Sequence, residues 1–119
     1  MLFRSDDARL TRADTRIVAA RWIGSHVPRG TTIAAESSTA VPPGYAVVSI
    51  PLPQPGRDAP VQLGPAHFVL ISGAVANRVR AASEDYPQRM AFYARLQRPV
   101  FRVRAHDGTS GPWVAVYRL

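Results

Sequence analysis

The chain has 119 residues, enough for one domain, and it contains no cysteine. The lack of cysteine excludes disulfides, thiolate metal sites and cysteine nucleophiles. No apolar run approaches the roughly 20 residues that a membrane-crossing helix needs, so we predict no membrane span. Residues 1–10 lack the apolar core of a secretory signal, and we expect them to form a flexible terminal segment.

Arginine dominates the charge of the chain. All fifteen basic residues are arginine, and with eight acidic residues they give a net charge of +7. This charge predicts attraction to phosphate groups, whether in nucleic acid or in anionic lipid. A dispersed solvated surface and a phosphate-binding patch are both consistent with the spread of the arginines, whose closest pairs are Arg78 with Arg80, Arg95 with Arg98, and Arg102 with Arg104.

The first predicted element is a helix over residues 11–26. Apolar residues recur along one face at three- and four-residue spacing, namely Leu10, Ala13, Ile17, Ala20, Ile23 and Val27. Thr11 and Asp14 have the spacing of a capping box, which places the start of the helix at Thr11. His26 would lie in the last turn, where a partial positive charge stabilises the end of a helix.

Two strands and a long irregular region should follow the first helix. Residues 31–36 are rich in β-branched side chains and predict a first core strand, and residues 45–50 predict an edge strand. Seven prolines lie in residues 37–65, which predicts a proline-rich loop region there. Within that region, residues 61–63 are expected to pack back onto the core.

The second half of the chain is predicted to complete a sheet. Residues 67–72 form a continuous apolar run, which predicts a central strand buried on both faces. Residues 74–82 favour a short helix, and residues 87–97 a longer one with a proline in its first turn. Alternating side chains over 100–105, followed by a turn and residues 113–119, predict a C-terminal β-hairpin.

These elements predict a mixed α/β fold, a single domain over residues 11–119. Its centre would be a mixed sheet of about four or five strands, with two main helices, 11–26 and 87–97, packed against it. Aromatic residues on these elements are expected to fill the core rather than to form a base-stacking platform: Trp22, Phe92, Tyr93 and Trp113.

The sequence carries no recognisable catalytic or metal-binding motif. Its histidines, His26, His67 and His106, are too far apart in the chain for ligand spacing, so no metal site is expected. Neither a G-x-S-x-G elbow nor a glycine-rich phosphate loop occurs, and a P-loop is excluded because it needs a lysine, which this chain lacks. We therefore predict no catalytic residue and no cofactor.

Four residues are candidate ligand contacts. Glu36 ends the first core strand and opens into the proline-rich loop, at a sheet edge where ligands commonly bind. His67 begins the predicted central strand, and Arg102 and Arg104 share one face of the hairpin. A small enzyme that uses Glu36 or His67 in a cleft is one hypothesis.

The order of several short motifs resembles that of one known family. They are Asp14-Thr15-Arg16 leading to Trp22-Ile23, Pro28-x-Gly30 before the strand that ends at Glu36, Phe68-Val69-Leu70-Ile71-Ser72, Tyr86-Pro87 before Phe92-Tyr93, and Gly111-Pro112 before Tyr117-Arg118-Leu119. Over about residues 12–119 the chain resembles the soluble C-terminal domain of polytopic bacterial glycosyltransferases of the dolichyl-phosphate-mannose protein mannosyltransferase type.

The resemblance implies a non-catalytic accessory domain on the extracytoplasmic face of a membrane. Its partners would be the membrane-embedded glycosyltransferase portion, which uses polyprenyl-phosphate-linked sugars, and anionic lipid or polyprenyl phosphate. The catalytic acids of the family lie in loops between membrane helices, and no residue here corresponds to them. The alternative hypothesis, based on the net charge, is a free-standing cytoplasmic module that binds nucleic acid or another polyanion.

Overall fold

A computed structural model of the chain describes residues 14–106 and 108–119. Within these residues five strands form one open sheet, with helices on both of its faces. The strands are β1 (Thr32–Ala35), β2 (Ala46–Ser49), β3 (Phe68–Ser72), β4 (Phe101–Val103) and β5 (Val114–Arg118). The helices are α1 (Thr15–His26), α2 (Gly73–Ala81) and α3 (Pro87–Arg95), with a 3-10 turn at Ser83–Asp85. The segment predicted at residues 1–10 lies outside the described residues.

The strand order is β2-β1-β3-β5-β4, so that β3 lies in the middle. β1 runs parallel to β2 and to β3, whereas β5 pairs antiparallel with β3 and with β4. These pairings confirm the mixed α/β class, the central strand at 67–72, the edge strand at 45–50 and the C-terminal β-hairpin.

The core has two layers because successive side chains of a strand point to opposite faces of the sheet. On one face, Ile23 of α1 packs with Ile33 and Leu70. On the other face, α2 and α3 cover a cluster that includes Val69 and Ile71. Every residue of β3 is buried, since helices cover both of its faces.

The start of helix α1 differs from the sequence prediction. Asp14 has extended backbone angles, and its carboxylate accepts a hydrogen bond from the N–H of Arg16 at 2.8 Å. Asp14 is therefore the N-cap, rather than the third helical residue of a capping box that begins at Thr11. Thr11 itself lies outside the described residues.

The buried face of α1 differs from the predicted one in its first half, whereas Ile23 and Val27 are buried as predicted. Thr15 is fully buried, and its hydroxyl donates a hydrogen bond to the carbonyl of Pro112 in the turn before β5. Ala19 and Ile23 follow on the same face, whereas Ile17 is 45% exposed. The contact with a distant turn rotates the helix and overrides the apolar pattern of its own sequence.

The end of α1 is held by two side chains, one of which was predicted. His26 lies in the last turn, where its Nδ1 donates to the carbonyl of Trp22 at 2.9 Å and its ring stacks on the indole. The hydroxyl of Tyr45 donates to the carbonyl of Val27 at 2.6 Å. The carbonyl of Val27, the C-cap residue, has no partner within the helix, so the hydroxyl of Tyr45 satisfies it.

Gly73 begins α2 in contact with the indole ring of Trp113. A Cβ atom at residue 73 would lie 2.6 Å from two atoms of that ring. We expect Gly73→Ala to lower the free energy of unfolding by about 1–3 kcal/mol, because the rigid ring must move. The control is Gly24→Ala in α1, where a Cβ meets nothing within 4 Å and the change should stabilise the fold by about 0.5–1 kcal/mol. Urea unfolding measures both, and effects of the same sign would contradict the steric explanation.

The N-cap ion pair predicts a dependence of stability on pH. The hydrogen bond from Arg16 lowers the pKa of Asp14 from 3.8 to about 2. Because the pKa falls on folding, the carboxylate stabilises the fold above about pH 4 and loses this contribution as the pH falls towards 2. Asp14→Asn should lower the free energy of unfolding at neutral pH by at most about 1 kcal/mol, since Arg16 is 43% exposed. Urea unfolding measured across pH should show this loss of stability disappearing in acid, and Glu84→Gln, at an exposed residue, is the control. A loss that does not depend on pH would contradict the role of the ion pair.

Candidate functional site

One of the chain's own side chains bridges the two strand ends between which a ligand is expected. After β1 the chain continues to β2 on one side of the sheet, whereas after β3 it continues to the β4–β5 hairpin on the other side. In open α/β sheets, ligands commonly bind outside the carboxyl ends of two such strands. Here Glu36 follows β1, and its Oε1 accepts the N–H of Ser72, the last residue of β3, at 3.0 Å. The carboxylate thus bridges the two strand ends.

Two residues of α3 complete the surroundings of Glu36. Its Oε2 accepts a hydrogen bond from Nη1 of Arg89 at 2.8 Å and another from the hydroxyl of Tyr93. Arg89 and Tyr93 are four residues apart, so both lie on the same face of the helix. The side chains of Glu36 and Arg89 are 1% and 5% exposed, which makes this a buried ion pair.

The electrostatics of this cluster follow from its burial. Burial raises the pKa of Glu36, and the donors Tyr93, Ser72 and Arg89 oppose that rise. Burial also raises the pKa of Tyr93 above its ordinary value, and the neighbouring carboxylate adds to the effect. The phenol therefore stays protonated and continues to donate. The Nε of Arg89 is buried and without a hydrogen-bond partner in the described part of the chain.

The same cluster holds the proline-rich loop against the body. Nη2 of Arg89 donates to the carbonyl of Pro51 at 2.5 Å, and Nη2 of Arg78 donates to the carbonyl of Pro53 at 2.6 Å. Asp58 accepts the N–H of Arg89 at 3.1 Å, in the first turn of α3, where a negative charge stabilises the helix. Val61 packs against the core, as predicted for residues 61–63. The loop is therefore fixed by ionic side chains.

The four predicted ligand contacts do not come together in the structure. Glu36 lies at the carboxyl end of β1, whereas His67 precedes β3 at the opposite edge of the sheet, where its N–H donates to the carbonyl of Thr32. Arg102 lies on the outer strand β4, and Arg104 follows that strand; both are exposed. These residues cannot act on one ligand together, and ligand contact by any of them stays a prediction.

Three arginines that were not predicted to lie together line a cavity of about 600 Å³. Arg95 ends α3, Arg98 follows it, and Arg118 ends β5. The sequence indicated Arg95 and Arg98 as neighbours, but the strand order that adds Arg118 has no local signal. We call this space the basic cavity; its other lining residues are Leu63, Phe92, Leu96, Gln97 and Leu119.

Two further features bear on the site. Among residues 14–106 and 108–119, no three His, Asp or Glu side chains are grouped so that they could hold a metal ion. None of the helices in the same residues is long and apolar enough to cross a membrane. The chemistry of the described residues therefore rests on the buried cluster around Glu36 and on the arginines at the surface.

The buried pair predicts strong coupling between Glu36 and Arg89. Glu36→Gln leaves a buried guanidinium unpaired and should lower the free energy of unfolding by about 3–5 kcal/mol. Tyr93→Phe, which removes one donor, should cost about 1–2 kcal/mol. In Glu36→Gln/Arg89→Met no buried charge remains, so its loss should fall short of the sum of the two single losses by more than about 1 kcal/mol.

Urea unfolding of Glu36→Gln, Arg89→Met and the double variant measures this coupling, and Tyr93→Phe is measured in the same way. Glu84→Gln removes an exposed carboxylate from the 3-10 turn and should change stability by less than about 0.5 kcal/mol. Additive losses at Glu36 and Arg89 would mean that the pair contributes no mutual stabilisation.

Comparisons with known proteins give no match to this chain. No family model, no curated protein and no solved structure matches it. The resemblance drawn from the sequence motifs therefore stays a prediction, and the function has to be argued from the residues themselves.

Proposed function

We propose that this chain is a non-catalytic accessory domain of a polytopic glycosyltransferase that uses polyprenyl-phosphate-linked sugars, placed on the extracytoplasmic face of the membrane. One observation carries this proposal. Glu36, the acid at the edge of the sheet where ligands commonly bind, is engaged by Ser72, Arg89 and Tyr93 and is buried. The residue best placed for chemistry has a supporting role instead.

General acid or base catalysis needs a group within hydrogen-bond reach of a substrate proton. The side chain of Glu36 is only 1% exposed, and freeing it would leave the guanidinium of Arg89 unpaired. His67 lies at the other edge of the sheet and cannot assist it. This separation argues against the hypothesis of a small enzyme built on Glu36 or His67.

The motifs behind the family resemblance coincide with residues that build the fold. Asp14 caps α1, Pro87 starts α3, and Tyr93 binds the buried carboxylate. A shared order of such residues supports a common domain architecture, as expected for a domain that positions other parts of an enzyme. The exposed arginines would suit a location near anionic headgroups.

The proposal predicts where the chain is found in cells. Antibodies against the chain should detect it in the membrane fraction of the source cells, accessible to protease added to spheroplasts from outside. The detected polypeptide should either exceed 13.0 kDa or purify with a polytopic membrane protein that transfers sugar from a polyprenyl-phosphate donor. A cytoplasmic marker protein, protected from the protease, is the control.

Two results would contradict the proposal. One is a 13.0 kDa species found only in the cytoplasm, which would favour a free-standing polyanion-binding module. The other is sugar transfer or hydrolysis by the purified chain when it is incubated with a labelled polyprenyl-phosphate sugar and a peptide acceptor, provided that Glu36→Gln abolishes the activity in a folded variant.

A further inference from the structure

We propose that the basic cavity binds the phosphate of a lipid, specifically a phosphate monoester that carries a long apolar chain. The cavity lies where the end of α3 meets the end of β5, at the edge of the sheet opposite Glu36. Its volume of about 600 Å³ exceeds what a phosphate group alone would fill. Arg95 and Arg98 supply the charge from the end of α3, Arg118 lies at the margin, and Leu63, Leu96 and Leu119 supply apolar walls.

The charge of the cavity is not neutralised from within the described chain. The ion pairs between side chains of the described residues join Arg16 to Asp14 and Arg89 to Glu36, so the arginines of the cavity take no part in them. None of the lining residues has an acidic side chain. A guanidinium presents parallel N–H donors that match the oxygens of a phosphate.

The three arginines do not face the cavity from the same side of the sheet. The guanidinium carbon of Arg118 lies 5.5 Å from the centre of the ring of Phe68, its partner on β3, and Phe68 packs in the cluster under α1. The side chain of Arg118 therefore lies on the α1 face of the sheet, whereas α3 covers the other face, and Arg118 adds positive potential only from the margin of the cavity. Arg95 and Arg98 are exposed and can close on the anion from the end of α3.

The apolar surface distinguishes a lipid from a soluble phosphate. Leu119 is 47% exposed beside the arginines, and a second cavity of about 300 Å³ shares Phe92 and Arg95 with the first. That second cavity is lined by Pro60, Val61 and Ala91 and extends along α3. An apolar chain attached to the phosphate would cover this surface, whereas a nucleotide or inorganic phosphate would leave it in water. The choice of a membrane lipid rests on the proposed function.

Vesicle sedimentation tests the proposal. The probes are phosphatidylcholine vesicles that contain about 10 mol % undecaprenyl phosphate, the same amount of phosphatidylglycerol, or neither, at about 0.1 M salt. We expect the folded chain to bind the undecaprenyl phosphate vesicles most tightly. Arg95→Gln/Arg98→Gln should weaken this binding by about 10-fold or more, since each arginine near an anionic surface contributes several-fold.

The matched control is Arg102→Gln/Arg104→Gln. It lowers the net charge equally but acts at the outer strand β4, away from the cavity, so it should weaken binding by less than about 2-fold. Thermal unfolding should be unchanged in both double variants because these arginines are exposed. If the cavity variant unfolds earlier, Arg98→Gln alone, outside any helix or strand, provides the same comparison.

Several outcomes would overturn the lipid site. Equal loss in the two double variants would mean attraction by net charge alone. Binding to phosphatidylglycerol vesicles as tight as to undecaprenyl phosphate vesicles would mean that the chain does not recognise a phosphate monoester. Displacement from the vesicles by inorganic phosphate or single-stranded RNA, at the same phosphate concentration, would identify a site for soluble phosphates or nucleic acid.

These results separate the lipid site from the proposed function. If the chain is found at the membrane in cells but does not bind the vesicles, only the proposal of the lipid site is contradicted. If the chain is found only in the cytoplasm but binds the vesicles through the cavity arginines, the lipid site is supported and the accessory role is contradicted.

Discussion

The buried ion pair between Glu36 and Arg89 connects the parts of this structure that are remote in sequence. Placing two charges in a protein interior is costly unless each is fully hydrogen bonded. Here the carboxylate receives donors from the end of β3 and from two turns of α3, and the guanidinium also binds the carbonyl of Pro51. One pair of charges therefore fixes two strand ends, a helix and the proline-rich loop relative to one another.

Because of this constraint, charged side chains are paired differently at the two ends of the sheet strands. At the carboxyl ends of β1 and β3, polar groups bind each other, so Glu36 occupies the usual ligand position between two such strands. At the opposite edge the arginines of the basic cavity have no such partners in the described ion pairs. Charges are therefore paired internally at one end of the sheet, whereas at the other end they are available to an external anion.

The sequence predicts those features whose causes are local. The apolar run of β3 indicates a strand covered on both faces, and the alternation around Arg102 indicates a half-exposed strand. The start and face of α1 are not local, because Thr15 is turned inward by a carbonyl that lies 97 residues away. Arginine is rarely buried, so no pattern marked Arg89 as the partner of Glu36, although the four-residue spacing to Tyr93 was visible.

The two outer strands of the open sheet have a consequence for behaviour at high concentration. Unpaired strand edges invite pairing with other copies, which is how many sheet proteins begin to form fibrils. Here the outer strands are only four and three residues long, and Pro43, Pro51 and Pro99 lie a few residues beyond their ends. Proline cannot donate to a neighbouring strand, and Arg102 adds charge repulsion between like copies. Copies of the domain at high concentration should thus resist edge-to-edge aggregation without a covering subunit.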